Sequence, residues 1–129
     1  MLMKKIFSGE FSDDILMITI NQNAGSLAEA EIVDSMKQVT DQAARPGLRG
    51  AVVDFAHVDY FGSLMLESLR HLWNQLHAQN SRMVLCHVSA IGREILEISH
   101  FDRLWPIVSS REEAVALLKE SPPAEKADA

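Results

Sequence analysis

Gly50-Ala51-Val52-Val53-Asp54-Phe55-Ala56-His57-Val58-Asp59-Tyr60-Phe61-Gly62-Ser63-Leu64-Met65-Leu66-Glu67-Ser68-Leu69-Arg70-His71-Leu72-Trp73-Asn74-Gln75-Leu76 is the stretch that decides the fold. Its first third is a short apolar run rich in β-branched residues, as expected of a strand covered on both faces. At Gly62-Ser63 the period changes: glycine permits an unusual turn and Ser63 is suited to cap a helix. Met65, Leu66, Leu69, Leu72, Trp73 and Leu76 then recur at helical spacing and predict one apolar face. A buried strand that runs through a polar turn into an amphipathic helix is half of a β-α-β unit. Its turn is where a ligand or partner would be met.

Upstream, residues 4–10 and 15–20 predict two strands joined through Phe11-Ser12-Asp13-Asp14, whose Ser and Asp side chains satisfy local backbone groups. After a polar loop over 21–26, Ser26 is placed to cap a helix that runs to about Ala44. Its buried stripe is expected to be Ala28, Ile32, Met36, Val39 and Ala43, with Glu29, Glu31, Asp34, Lys37 and Asp41 toward water. Arg45-Pro46-Gly47 ends it, since proline disfavours helix at the preceding residue.

Downstream, Met83-Val84-Leu85-Cys86-His87-Val88 predicts a second buried strand. Ser89 caps a short helix with Ile91, Ile95, Leu96 and Ile98 inward. Residues 100–108 are expected to be extended, because Pro106 blocks helix there. Ser110 and Glu113 have the spacing of a capping box opening a last helix, which buries Val115 and Leu118. Ser121-Pro122-Pro123 and the small and charged residues to Ala129 predict a disordered tail. The order is β-β-α-β-α-β-α-β-α: one α/β domain over 1–120, with a mixed, mostly parallel sheet of four to five strands and about four helices.

Composition narrows the function. A chain of 129 residues at 47% hydrophobic content makes one ordinary globular core, burying roughly two thirds of its unfolded surface. The net charge of −6, from 12 basic and 18 acidic residues, argues against nucleic-acid binding, since no basic stripe offsets it. The run Ile15-Leu16-Met17-Ile18-Thr19-Ile20 is too short to cross a bilayer, and Lys4-Lys5 lead into no signal-peptide core. The single Cys86 forms no internal disulfide, which suits a reducing cytoplasm.

Chemistry is sparse. His57, His71, His77, His87 and His100 share no paired spacing on a helix face, and no Cys-x-x-Cys or glycine-rich phosphate loop is present, so neither metal nor cofactor is expected. Cys86, between Leu85 and His87, reads as a small buried hydrophobe. Asp54 and Asp59 could form a carboxylate pair, but they are better read as holding loop backbone and shaping the turn. The chain does not read as an enzyme. On a helical wheel Leu64, Ser68, His71 and Gln75 fall to one side of the core stripe. Beside Tyr60 and Phe61, Leu64 then reads either as part of an apolar docking patch with polar neighbours or as a residue under a covering loop or in a local core contact.

At this point the chain resembles the STAS domain of anti-sigma factor antagonists. The resemblance is carried by Gly50 to Phe55, by Val58-Asp59-Tyr60-Phe61-Gly62-Ser63 and the Leu-rich helix, by Arg82 to Ser89, and by Ile95 to Ile107. Ser110-Arg111-Glu112-Glu113-Ala114 is similar to the opening of the family's final helix. The likeness covers about residues 4–120 and implies the same α/β fold. It also implies binding to an anti-sigma factor, usually a serine kinase of the GHKL ATPase type, with release of a sigma factor. In the family, Asp-Ser-Ser/Thr-Gly followed by Leu opens the central helix and carries the phosphoacceptor. Here Gly62-Ser63-Leu64-Met65-Leu66 stands in its place. Ser63 matches the first hydroxyl and Leu64 replaces the usual acceptor, so the phosphoswitch is expected to be lost or moved to Ser63, with Ser68 a second position. The implied partner surface is Tyr60, Phe61, Gly62, Ser63, Leu64, Glu67, Ser68 and His71, with the loop before the first helix beside it. Two other readings keep the fold: a ligand sensor or scaffold without sigma-factor control, and an enzyme using Asp54, Asp59 and Ser63.

Overall fold

In a computed structural model, which describes residues 6–21, 29–59 and 61–120, five strands lie in the order in which the chain supplies them. β1 (Phe7–Ser12) and β2 (Ile15–Ile20) form an antiparallel hairpin. β3 (Gly50–Asp54), β4 (Arg82–Cys86) and β5 (Ile107–Val108) continue the sheet in parallel. Between them run α1 (Glu29–Ala43), α2 (Ser63–Ala78) and α3 (Ala90–Ile98), and α4 (Arg111–Glu120) closes the chain. The α/β reading with a mixed, mostly parallel sheet is what is found. The expected cap at Ser26, the Ala28 position, Lys4-Lys5 and the tail lie outside the described residues.

Side-chain alternation along the strands builds two cores. Leu16, Ile18, Ile20, Ala51, Val53, Met83 and Leu85 face α1 and α2, whose Ile32, Met36, Val39, Ala43, Met65, Leu69, Leu72 and Leu76 are buried against them. Ile15, Val52, Val84 and Cys86 point the other way, onto Ala114 and Leu118 of α4. β3 is therefore buried from end to end, as its unbroken apolar run predicted. Gly50 is the residue that the second layer demands: a Cβ there would lie 2.6 Å from the Arg82 carbonyl oxygen and 2.7 Å from Leu118 Cδ2.

Several boundaries differ from expectation, each for a local reason. The first turn is only Asp13-Asp14, with Asp13 at φ 56°, a left-handed value that Asp tolerates. Phe11 and Ser12 belong to β1 instead, and the Arg45 guanidinium covers the Phe11 ring at 4.5 Å. In α3 the buried line is Gly92 and Leu96, while Ile91 and Ile98 are 55% and 78% exposed. Gly92 decides this: without a Cβ it lets the helix press onto Phe61 and Val88, which turns Ile91 and Ile98 outward. Residues 100–108 are not extended throughout. His100, at φ 66°, leads into a 3₁₀ turn (Phe101–Arg103) that stacks Phe101 on the wholly buried Trp105 at 4.8 Å. Burying two large rings outweighs extension, and Pro106 confines the strand to two residues. In α4, Ala114 and Leu118 are the buried pair, and Val115 only borders the core.

Candidate functional site

The β3–α2 connection lies at the carboxyl ends of the parallel strands, where open α/β sheets commonly meet their ligands. Asp54 ends β3 and shapes the turn beyond it. Its Oδ1 accepts the Ala56 N–H at 2.9 Å, and the Val58 N–H bonds the Phe55 carbonyl at 2.9 Å. At the far end of the turn the Asp59 carbonyl accepts a hydrogen bond from Ser89 Oγ at 2.8 Å. Phe61 then folds inward. It is 2% exposed, tilted against Phe55 with ring centroids 5.3 Å apart.

The head of α2 stands free of these ties. Gly62, not Ser63, is the N-cap, and no side chain caps the helix. Gly62 has φ −113° and ψ −165°, extended backbone open to any residue, and a Cβ there would meet nothing within 4 Å. The expected need for glycine in this turn is thus not a steric one. Ser63 is the first helical residue and is exposed. The first bond of the helix runs from the Leu66 N–H to the Gly62 carbonyl, which leaves the N–H groups of Ser63, Leu64 and Met65 as the leading donors. No acidic residue sits in the first turn to complement them.

Beside this helix head, Val33, Met36 and Lys37 of α1 and Leu64, Glu67, Ser68 and His71 of α2 line an open groove of about 360 Å³. Leu64, Ser68 and His71, which helical spacing set to one side with Gln75, line the groove together with Glu67, and Gln75 is not among its lining residues. Leu64 is half-buried and packs on the main core, while Glu67 and His71 are exposed. Two positions differ from the expected surface. Phe61 is a core residue that supports the turn from beneath, and Ser68 is 7% exposed, at the floor of the groove. Tyr60 lies outside the described residues.

A second cluster forms behind the turn, and sequence reasoning found only its first member. Across the sheet, Thr19, Asp54 and Cys86 stand opposite one another in register, on the face that α4 covers. From the start of α4, Arg111 donates through Nε to Asp54 Oδ2 at 2.6 Å and through Nη2 to Thr19 Oγ1 at 2.7 Å. His87 Nδ1 lies 2.9 Å from Asp54 Oδ1, and since a carboxylate only accepts, that nitrogen carries the hydrogen. Burial pushes the Asp54 carboxyl up. The hydrogen bonds from Arg111, His87 and Ala56 and the Arg111 charge outweigh burial and hold it below the usual range. Burial, then the Asp54 charge, push the Cys86 thiol up to about 12.

Asp54, Cys86 and His87 bring possible metal ligands within 4.8 Å of one another. The Arg111 guanidinium already supplies the cation that Asp54 needs. The cluster is an ion-pair node tying three strand ends to α4. Asp59 enters the turn's ties through its backbone carbonyl. The signal that could have found the node is a polar residue at the last position of an otherwise apolar strand, which needs a partner from elsewhere.

The family model described as STAS domain matches residues 8–114. The chain belongs to the STAS domain family. This STAS domain is 31% identical over 110 residues to BtrV of Bordetella bronchiseptica, a candidate anti-sigma factor antagonist, covering 85% of this chain and 92% of that protein. Solved structures share its fold. A candidate anti-sigma factor antagonist of Thermotoga maritima superposes with a TM-score of 0.76 at 17% identity, over 88% of this chain and 94% of that one. The anti-sigma factor antagonist SpoIIAA in its unphosphorylated form gives 0.73 at 13% identity, over 90% and 98%. Among the described residues, no helix of this STAS domain is long and apolar enough to cross a membrane.

Proposed function

We propose that this STAS domain is an anti-sigma factor antagonist that acts by partner switching, binding an anti-sigma factor of the GHKL-type kinase class at the head of α2. The observation that carries the reading is the half-buried Leu64 beside the exposed Ser63 at a helix start with no capping side chain, opening on the α1–α2 groove. The relation to BtrV supports an anti-sigma factor as the partner. Gly62, Ser63 and Leu64 form the centre of the surface, with Glu67, His71 and the rim of Ser68 at its edge. Phe61 contributes from beneath, as the core residue that supports the turn.

In this reading the family's switch is altered, because leucine accepts no phosphoryl group. Ser63 is the hydroxyl placed to take one. A phosphate there would meet the leading N–H groups and the positive end of the helix, whereas Ser68 is largely buried. Tagged wild type and Leu64→Glu are compared as baits in lysate of the source cells, with proteomic readout. Wild type is expected to recover a GHKL-type ATPase and the variant to lose it while keeping its fold by circular dichroism. Equal recovery by both moves the interface away from α2. Recovery by neither favours a ligand sensor, for which the groove is the place to look and a thermal-shift screen the test. Intact mass after incubation with that ATPase and ATP then separates a switch moved to Ser63 from one that is lost.

A further inference from the structure

We infer that the junction between β4 and α3, through His87 and Ser89, is a positioning clamp that fixes the β3–α2 turn from both ends. The geometry stands by itself; its consequence for partner binding rests on the proposed anti-sigma factor antagonism. His87 holds the start of the turn, donating from Nδ1 at 2.9 Å to the Asp54 oxygen that also accepts the Ala56 N–H. Ser89 holds its end through the Asp59 carbonyl at 2.8 Å. Two residues that are near neighbours in one loop thus span another.

Three further observations make the arrangement more than a chance contact. Arg111 grips the other oxygen of Asp54, so the carboxylate cannot swing to follow a moving turn. His87 sits at φ 57°, a left-handed conformation that non-glycine residues adopt rarely and keep only where their surroundings enforce it. Gly92, one turn into α3, lets Phe61 approach so closely that a Cβ would lie 3.0 Å from the ring, which adds a third hold just before Gly62. With residues 54–59 and Phe61 all tied to one junction, Gly62, Ser63 and Leu64 are presented in a fixed orientation. Such preorganisation favours affinity by removing the ordering that binding would otherwise require.

The test uses two pairs of variants, each pair separating the clamp from a neighbouring role. His87→Gly frees the backbone and deletes the donor, whereas His87→Asn tolerates the left-handed backbone and keeps an N–H near the same place. Ser89→Asp keeps an acceptor for the Gly92 N–H, and so the helix cap, but cannot donate to Asp59; Ser89→Thr keeps both. Amide exchange of Ala56 and Val58 is measured by NMR, with Ala51 and Val53 of β3 as controls. His87→Gly and Ser89→Asp are expected to speed exchange in the turn about tenfold with β3 unchanged, and His87→Asn and Ser89→Thr to restore it. Affinity for the anti-sigma factor recovered by wild type should fall about tenfold in the same two variants and return in the conservative pair. Unchanged exchange in the turn overturns the clamp. A loosened turn with unaltered affinity overturns its consequence for partner binding. If wild type binds no anti-sigma factor, the proposed function fails while the exchange data still decide the clamp.

Discussion

Asp54 shows how one side chain can serve two neighbours that the sequence keeps far apart. Its hold on the Ala56 N–H is local, and a polar residue at a strand end announces it. Its bond to Arg111, 57 positions away, depends on α4 crossing the sheet at one angle and was not legible. The folded carboxyl titrates below its ordinary value. The folded state therefore binds its proton less readily, and the stabilisation is complete above the unfolded value of about 4. It is lost as pH falls through the folded value. Urea unfolding at pH 7 and in steps below 4 should show that loss in wild type. Asp54→Asn should be less stable by about 1–3 kcal/mol at pH 7 and lose the part of the acid response that Asp54 supplies. An undiminished acid response in the variant would assign it to other groups. Cys86, with its thiol pushed up to about 12 and no exposure, should react with a thiol reagent only as fast as the domain opens. Rapid native labelling would sink that expectation.

The elements themselves were largely readable, because their periods are clean: α1 buries Ile32, Met36, Val39 and Ala43, α2 buries its predicted face except for the half-buried Trp73, and β3 is covered throughout. What periodicity cannot supply is rotation about a helix axis when a glycine alters the contact. α3 is the example: its isoleucines matched the apolar period, yet the helix docks by Gly92 and Leu96. Gly50 makes the same point for a strand. The alternating pattern does not single it out, but backbone and Leu118 lie where its Cβ would go. Gly50→Ala should cost about 1–3 kcal/mol or more, read from the denaturant midpoint. A neutral result would mean that α4 can back away from the sheet. Gly62 has the opposite character. The space around it is open, and Gly62→Ser should add a few tenths of a kcal/mol by capping α2. A loss of stability there would show that the turn needs glycine after all. That Leu64, Ser68 and His71 share one side of α2 was legible from spacing; that Phe61 and Ser68 turn inward was not, since that depends on how α1 and α3 pack beside α2.

At the scale of the molecule, the sheet is thickest in cover at its middle and thinnest at its rims. β3 lies beneath helices on both faces, whereas β5 is two half-buried residues at an edge. Amide exchange should follow this order, with Ala51 and Val53 exchanging only through global unfolding and Val108 far faster. Comparable rates at both places would mean that the domain opens only as a whole. The alternation of strand and helix made the architecture readable, since parallel neighbours with right-handed connections leave few other arrangements. That simple order has a consequence for a chain being synthesised. Each strand emerges next to the one it will pair with, so the sheet can grow outward from the hairpin without waiting for distant sequence. The exception is the carboxylate at its centre. Asp54 leaves the ribosome more than fifty residues before Arg111, its cationic partner. Until α4 emerges, the nascent domain carries a negative charge that resists burial. Only with the last helix does the charge at the centre of the sheet gain the guanidinium that offsets its burial.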